Sequence, residues 1–366
     1  MKRVLLLGFG KIHHMPYMNL YIDTFQHSEI DLVCWERDGQ ASVTAPEGIS
    51  RVHVFSEAME NALPLHKKLT HFQHYRHFVC QLLRRQRYDL MIIMQAAPGL
   101  ILLDKLLIGY KGKYLLDFRD LSYEHIPIYR AATRSLAKGA KAVFVSSNAF
   151  RQYLPNNIPI YTVHNYLEES LEYPPREIDT SRKPIRICFW GFPRGIETNR
   201  RLMDAIGNDD RFELHYFGRK GAEGSAMEQH ATALRYRNIF FHGAYVPGER
   251  YAFIAQTDII HNAFDLNRTM KYAVSNKYYD GLIFAIPQLC TKGSYMGELV
   301  TEQGVGLALD LSRDDIASQI ITYYTSISVG PFRQCCKNRM TQVQAEQETV
   351  KQVLKVLEAD SQMQVK

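Results

Sequence analysis

Ser275-Asn276-Lys277-Tyr278-Tyr279-Asp280-Gly281-Leu282-Ile283-Phe284-Ala285-Ile286-Pro287 is the stretch around which the 366-residue chain is organised. It reads as a short helix that leaves an Asn- and Ser-bearing loop and runs into a Pro-led apolar strand, Pro287-Gln288-Leu289-Cys290. Lys277 and Asp280 are three residues apart and so share one helix face. Their ammonium and carboxylate can therefore point into one cleft. A helix N-terminus at that place adds backbone N–H donors and a positive dipole end, which favours phosphate. A carboxylate one turn further in can accept hydrogen bonds from sugar hydroxyls. The plainer alternative is an exposed Lys/Asp pair on a surface helix, worth little energetically.

Outward from this stretch the chain alternates strand and helix patterns. Apolar runs at residues 3–8, 29–36, 51–55, 89–94, 113–117, 141–145 and 158–163 read as strands, with a helix at Met15 to Phe25 between the first two. Their near-continuous apolar character suits strands buried on both faces of a parallel sheet. Glu168 to Pro184 is charged, holds Pro174-Pro175 and lacks periodicity, which marks a linker. The alternation then restarts at Ile185 to Gly191 and continues through 212–218, 239–243, 258–261, the strand after Pro287, and 306–309. The expected architecture is α/β: a Rossmann-like domain over 1–167, a linker over 168–184, a second Rossmann-like domain over 185–330, and a closing helix over 331–366.

The bulk numbers agree. The length suits two domains, and 46% hydrophobic with 22% charged residues is a globular composition. The longest apolar region, Leu90 to Ile108, is interrupted by Gln95, Pro98-Gly99, Asp104 and Lys105, so no membrane span is expected. Val4 to Leu7 is too short for a signal h-region and reads as a first strand. The six cysteines include no C-x-x-C pair, so a reducing cytoplasm is expected, with neither a disulfide framework nor a metal site. The net charge of +6 is uneven: residues 1–167 hold 20 Lys+Arg against 13 Asp+Glu. A basic front half suits an anionic surface, ordinary surface bias being the alternative. Nothing points to nucleic acid, because the aromatics do not form stacking platforms.

Several motifs carry candidate chemistry. Gly8-Phe9-Gly10-Lys11-Ile12-His13 follows a strand but lacks the third glycine of a nicotinamide-cofactor fingerprint, and reads better as a tight turn at a cleft edge. His13 and His14 are placed to face an acceptor, or are simply exposed. Asp117-Phe118-Arg119-Asp120-Leu121 crowds charge at the end of a buried strand, where an unpaired charge is costly. Either Arg119 pairs with an Asp to pin the loop, or Arg119 and Asp120 act on a ligand. Gly-bearing turns recur at strand ends around Gly191, Gly218 and Gly243-Ala244-Tyr245-Val246. Arg194 and Arg268 supply donors suited to phosphate. Along Leu65 to Arg87, Leu65, Leu69, Phe72, Val79 and Leu83 fall on one helical face, with Lys67, Lys68, His71, His74 and Arg85 on the other. That basic face suits anionic lipid or a lipid-linked diphosphate, a solvated surface being the alternative. Pro331 to Ala359 reads as a helix with Val343, Val350, Val353, Leu354 and Leu357 as its stripe.

These residues resemble a known family. Asn276, Lys277 and Pro287 match the Asn-Lys-x-x-Glu-Tyr-x-x-x-Gly-x-Pro segment of GT-B glycosyltransferases, particularly the retaining family 4. Asp280 stands for the family's Glu, Ala285 for its Gly, and Tyr272 where the first Glu of its paired-Glu signature would fall. Arg119-Asp120-Leu121 with Tyr123 resembles the family's Arg-Asp-Leu-Trp. Ala142 to Ser147 and Val163-His164-Asn165 resemble its strand–Ser and Val-x-Asn elements. The resemblance implies two Rossmann-like, doubly wound parallel-sheet domains facing across a cleft. It implies retaining, metal-independent transfer from a nucleotide-diphosphate sugar, with UDP the expected nucleotide. The acceptor would be a hydroxyl of a glycan or lipid-linked glycan in bacterial surface polysaccharide assembly, at the inner face of the membrane. Asp120, Lys277 and Arg194 would be catalytic. Asp280, Asn276, Gly191, Arg268, Gly218 and Val246 would bind the donor, and His13, His14 and Arg119 would stand on the acceptor side, with no cofactor. The alternatives are a nucleotide-sugar epimerase, an NAD-dependent oxidoreductase, or a non-catalytic partner subunit of the same fold.

Overall fold

The computed structural model describes residues 2–38, 43–60 and 63–363, with the side chains of Leu65 and residues 360–363 outside the description. The chain divides into two compact units, Met1–His164 with Ala345–Lys366, and Asn165–Gln344. Each unit is a doubly wound parallel sheet.

In the first unit the strands are β1 (Arg3–Leu7), β2 (Glu29–Glu36), β3 (Arg51–Ser56), β4 (Leu90–Met94), β5 (Tyr114–Phe118), β6 (Ala142–Val145) and β7 (Ile160–Thr162). They lie in the order β3-β2-β1-β4-β5-β6-β7, every pairing parallel. The helices are α1 (Asn19–Thr24), α2 (Leu65–Arg85), α3 (Ala96–Ile101), α4 (Leu103–Gly109) and α5 (Pro127–Gly139). Every residue of β4, β5 and β6 is buried, as the unbroken apolar runs require of strands covered on both faces. The strand order reverses between β1 and β4, the place where such sheets take ligands beyond their carboxyl ends.

The second unit holds β8 (Ile185–Trp190), β9 (Phe212–Phe217), β10 (Ile239–Gly243), β11 (Ile259–His261), β12 (Gln288–Thr291) and β13 (Gly306–Leu309), in the order β10-β9-β8-β11-β12-β13. Its helices are α6 (Ile196–Ile206), α7 (Ala222–Ala233), α8 (Arg250–Ile254), α9 (Asn276–Ile283), α10 (Tyr295–Glu302) and α11 (Ile316–Thr325). Here the order reverses between β8 and β11. The last helix, α12 (Val329–Met363), gives Cys336, Met340 and Val343 to the second unit's core. Its later residues Val350, Leu354 and Leu357 enter the first unit's core.

Some expectations shift. The helix expected over Met15 to Phe25 is two 3-10 turns, Ile12–His14 and Pro16–Met18, before α1, because Pro16 has no N–H to continue a preceding turn. The turn after β1 thus leads into a 3-10 turn, in place of the α-helix N-terminus that a nicotinamide-type fingerprint at Gly8-Phe9-Gly10 would need for a pyrophosphate. The chain passes from the first unit to the second at His164/Asn165, and the Pro-rich segment packs with the second unit. Arg176 anchors that segment, bonding Asp258 at 2.5 Å and, through its backbone N–H, the carbonyl of Phe284 at 2.8 Å. The closing helix begins at Val329, and residues 364–366 of its expected span lie outside the described residues. On α2 the buried positions are Tyr75 and Val79, whereas Leu69 is 52% exposed and the side chain of Leu65 is not described. Among the described residues no helix is long and apolar enough to cross a membrane.

Candidate functional site

The carboxyl ends of β8, β9 and β10 are joined turn to turn. Gly191, at φ 109°, donates its N–H to the carbonyl of Phe217 at 2.9 Å. Gly218, at φ 148°, donates to the carbonyl of Gly243 at 2.6 Å. A Cβ on Gly218 would fall 1.7 Å from the carbonyl oxygen of Gly191, so this approach exists only because the residue has no side chain. After Gly191 the chain turns through Arg194 and Gly195 (φ 87°) into α6. Two amides at this entry are engaged: Gly195 N–H, just before α6, bonds Glu223 at 2.6 Å, and Thr198 N–H bonds Asp265 at 2.8 Å.

Two cations meet beside this turn. Lys277, in the first turn of α9, is 7% exposed and holds its ammonium 4.1 Å from the ring centre of Phe189 and 4.8 Å from that of Phe264. The guanidinium of Arg194 lies 5.6 Å from the same Phe264 ring. Cation–π contact offsets part of the burial cost of the Lys277 ammonium, whereas Arg194 is exposed. Neither side chain has a hydrogen bond or ion pair among the described residues. Burial, and then the nearby Arg194 charge, pull the Lys277 amine down to about 7. A buried amine with no ion-pair partner among the described residues, beside the exposed guanidinium of Arg194, is an environment that an anion would complete.

A buried polar network holds the arrangement from below. The side-chain amide of Asn199 donates to the carbonyls of Arg194 (3.1 Å) and Gly195 (2.7 Å), which fixes the direction of its oxygen. That oxygen accepts from Tyr216 Oη at 2.7 Å and from His261 Nε2 at 2.8 Å. His261 therefore carries its proton on Nε2, and its Nδ1 is buried without a hydrogen-bond partner. Burial, reinforced by Lys277, lowers this imidazole to about 3, so it is neutral at physiological pH. Under α9, Ser275 Oγ donates to Asn262 Oδ1 at 2.6 Å, Asn262 Nδ2 donates to Gln288 Oε1 at 3.1 Å, and Gln288 Nε2 donates to the carbonyl of Tyr278 at 3.0 Å. A Cβ on Gly281 would strike Gln288 at 2.1 Å, so the glycine lets α9 lie directly on β12.

The other half of the Lys277/Asp280 motif turns out differently. Asp280 is 3% exposed, and its carboxylate accepts from Trp190 Nε1 at 2.8 Å and from the guanidinium of Arg250. Burial raises its pKa, against the opposing pull of Arg250 and the indole. The family resemblance assigns this carboxylate to the donor's ribose or sugar; the structure commits it to a buried ion pair within the second unit. Arg250, 7% exposed, was not anticipated, since a lone Arg opening a short helix carries no sequence signal. Asn199 was missed likewise, and the one hint of His261 was its place in an apolar strand.

The remaining expected donor residues lie nearer the surface. Asn276 is the exposed first residue of α9, and Arg268 is exposed on the loop between β11 and α9. The side chain of Val246 is 62% exposed, and its backbone N–H is taken by the Glu249 carboxylate at 3.0 Å. In the first unit, Arg119 is 5% exposed, with Nε 2.9 Å from both oxygens of Asp117 and its guanidinium 4.3 Å from the Tyr17 ring centre. The ion-pair reading of that motif is the one the structure adopts, and Arg119 pins the loop instead of facing an acceptor. Asp120, the next residue, is exposed, as are His13 and His14, whose rings meet edge to face with centres 4.1 Å apart. Burial and the neighbouring His13 lower the pKa of His14. Among the described residues no cluster of three or more His, Cys, Asp or Glu side chains is arranged to hold a metal.

No protein-family model matches the chain, and no curated protein matches it either. Solved structures do. Sucrose-phosphate synthase from Thermosynechococcus elongatus is similar at 11% identity and a TM-score of 0.72, over 98% of this chain and 100% of that one. HepE from Anabaena, in complex with UDP, is similar at 15% identity and 0.66, over 97% and 99%. A UDP-forming α,α-trehalose-phosphate synthase from Burkholderia vietnamiensis is similar at 9% identity and 0.67, over 98% and 99%. At these identities the likeness establishes the fold: the chain has the GT-B architecture of two parallel-sheet domains.

Proposed function

We propose that the chain is a retaining glycosyltransferase that moves a hexose from a UDP-sugar to a hydroxyl of a glycan or lipid-linked glycan. The setting we assign to it is bacterial surface polysaccharide assembly, in the cytoplasm at the inner face of the membrane. The observation that carries this reading is the pair of cations, Lys277 and Arg194, sharing the Phe264 ring without a counter-ion among the described residues. UDP is favoured as the nucleotide because HepE is described in complex with UDP and the trehalose-phosphate synthase as UDP-forming.

In this reading the diphosphate completes the site, and the two fixed charges stabilise it as negative charge builds on the departing oxygen. The bond from the anomeric carbon to the diphosphate oxygen breaks, with its electron pair leaving on that oxygen. The acceptor oxygen bonds the same carbon from the same face, and its proton passes to the departing phosphate. Fixed cations do the work that a divalent ion does elsewhere, and no cofactor is needed. Arg268 and Asn276 add donors at the mouth of the site, with the glycine turns at Gly191 and Gly218 shaping its wall. Asp280 positions Trp190 and Arg250 beneath it. Asp120 and His14 are assigned to the acceptor side.

The test is a thermal-shift titration with UDP, UDP-glucose and NAD, followed by UDP release from UDP-sugars. UDP and a UDP-sugar should raise the melting temperature and NAD should not, since only ligands of the native state stabilise it. Lys277→Ala should remove the shift and lower turnover by orders of magnitude with the fold intact. A shift with NAD alone, or full activity in Lys277→Ala, would overturn the assignment.

A further inference from the structure

Three neighbouring strands of the first unit, β4, β5 and β6, are entered by loops that carry positive charge. The chain runs Arg84-Arg85-Gln86-Arg87 ahead of β4, Lys111-Gly112-Lys113 ahead of β5, and Lys138-Gly139 ahead of β6. In a parallel sheet all such entries lie at the amino ends of the strands, opposite the edge where these sheets take small-molecule ligands. Arg84, Arg87, Lys111, Lys113 and Lys138 are exposed. The turn between two of them is fixed: Gly112, at φ 70°, donates its N–H to the carbonyl of Gly139 at 2.8 Å, which ties the loop before β5 to the one before β6. The acidic side chains of the neighbouring segments, Asp89 and Asp104, are engaged. Asp89 accepts from the backbone N–H of Arg3 at 2.9 Å. Asp104 accepts from Arg76 at 2.7 and 2.9 Å and lies 3.6 Å from Lys105.

Ile108 stands at the same end. It follows the buried Leu106 of α4 by two residues, and two residues turn a helix by about 200°, so it points away from the core. It is 87% exposed, the highest value for a large apolar side chain among the described residues. One exposed isoleucine means little by itself. This one borders a cavity of about 270 Å³ whose lining includes Cys80, Leu83 and Tyr110, with Arg84 and Lys105. An apolar tip beside a partly apolar recess, ringed by arginine and lysine, has the composition of a surface that settles into the boundary between lipid headgroups and acyl chains.

We propose that this amino-end rim docks the first unit on an anionic lipid leaflet, its cations meeting headgroup phosphates and Ile108 entering the acyl boundary. The inference gives the membrane setting proposed above a definite surface, and it rests on that reading for the setting alone, not for the reaction. The surface is separate from the Lys67 face of α2. A nucleic acid or an acidic protein would match the cations but would give the isoleucine no apolar surroundings. Docked by this rim, the carboxyl ends of the strands stand off the leaflet by the length of β5, about 17 Å. A glycan stem would span that distance, so the reacting hydroxyl belongs to a sugar well removed from any lipid anchor.

The test is co-sedimentation of the full chain with vesicles of phosphatidylcholine alone and of phosphatidylcholine mixed with phosphatidylglycerol. Binding should require the anionic lipid and should weaken as salt is raised. Each basic residue near such a surface strengthens binding by about fivefold, so Lys111→Glu combined with Lys113→Glu should weaken it by more than about twentyfold. Ile108→Ser should weaken it by roughly tenfold, and Lys67→Glu should change it far less. All these positions are exposed, so the melting temperature and the UDP-induced thermal shift should stay as in the wild type, which separates lost docking from lost fold. Equal binding to neutral and anionic vesicles, full binding by the double variant, or indifference to Ile108→Ser would overturn the inference. Binding to a DNA duplex without binding to vesicles would overturn it as well. If UDP shifts the melting temperature and vesicles do not bind, this inference fails and the transferase reading stands. If vesicles bind and UDP gives no shift, the docking surface stands and the transferase reading fails.

Discussion

Donor binding should lose strength as pH rises through 7, and the loss should trace to one amine. Lys277 is drawn down to about 7 by burial and by Arg194, while the His261 imidazole is at about 3 and stays neutral throughout. A phosphate's second ionisation lies near pH 6, so above pH 7 UDP itself no longer changes charge. If only the ammonium form accepts the diphosphate, the dissociation constant should rise about fiftyfold between pH 7 and pH 9, or about 2.3 kcal/mol. The sign follows from the direction of the shift: the bound anion raises the amine's pKa, so binding takes up a proton, about 0.9 per UDP at pH 8. Calorimetry in two buffers of different ionisation heat measures both quantities. Lys277→Met should flatten the pH profile and abolish the proton uptake. The same shift predicts a gain in the unliganded protein. The folded pKa lies below the unfolded value of about 10.4, so at pH 6 the native state bears the full cost of a buried ammonium. Lys277→Met should therefore raise the melting temperature most below pH 7 and progressively less towards pH 10. A UDP affinity that is flat from pH 7 to 9 in the wild type, or one that keeps its slope in Lys277→Met, would refute the reasoning.

Two further expectations concern the scaffold. Asp280→Asn removes the charge that Arg250 faces in a buried pair and should destabilise the protein by about 3–5 kcal/mol in denaturant titration; a loss of UDP affinity at unchanged stability would instead return this carboxylate to the ligand. Gly218→Ala places a methyl 1.7 Å from the Gly191 carbonyl at a φ that side chains rarely adopt, and should cost more than about 2 kcal/mol in the same measurement, with UDP affinity falling alongside.

The architecture was legible because parallel strands buried on both faces advertise themselves as unbroken apolar runs. Each expected strand is present, from Val4 to Leu309, within a residue or two of its expected bounds. Domain limits were less visible, because composition marked 168–184 as a linker while its anchoring depends on long-range partners, among them Asp258 and Phe284 for Arg176 and Tyr324 for Asp179. At the site, spacing alone showed that Lys277 and Asp280 lie on one helix face, and both are indeed buried. It did not show which of the two would find an internal partner. That was decided by Arg250 and Trp190, 30 and 90 residues away in sequence. In the same way Arg119 could be assigned to a ligand or to Asp117 from sequence, and only the burial of both groups decides for the ion pair.

The stepwise bonding of Gly191 to Phe217 and of Gly218 to Gly243 also limits how this rim can diversify. A residue inserted into any one of the three turns would break the bond to its neighbour and carry the disturbance along the row. Variation in what the second unit recognises must therefore come through exchange of side chains at fixed backbone length, as at Phe192, Arg219 or Val246. Loop-length change would be confined to segments outside this row, such as the stretch between β11 and α9.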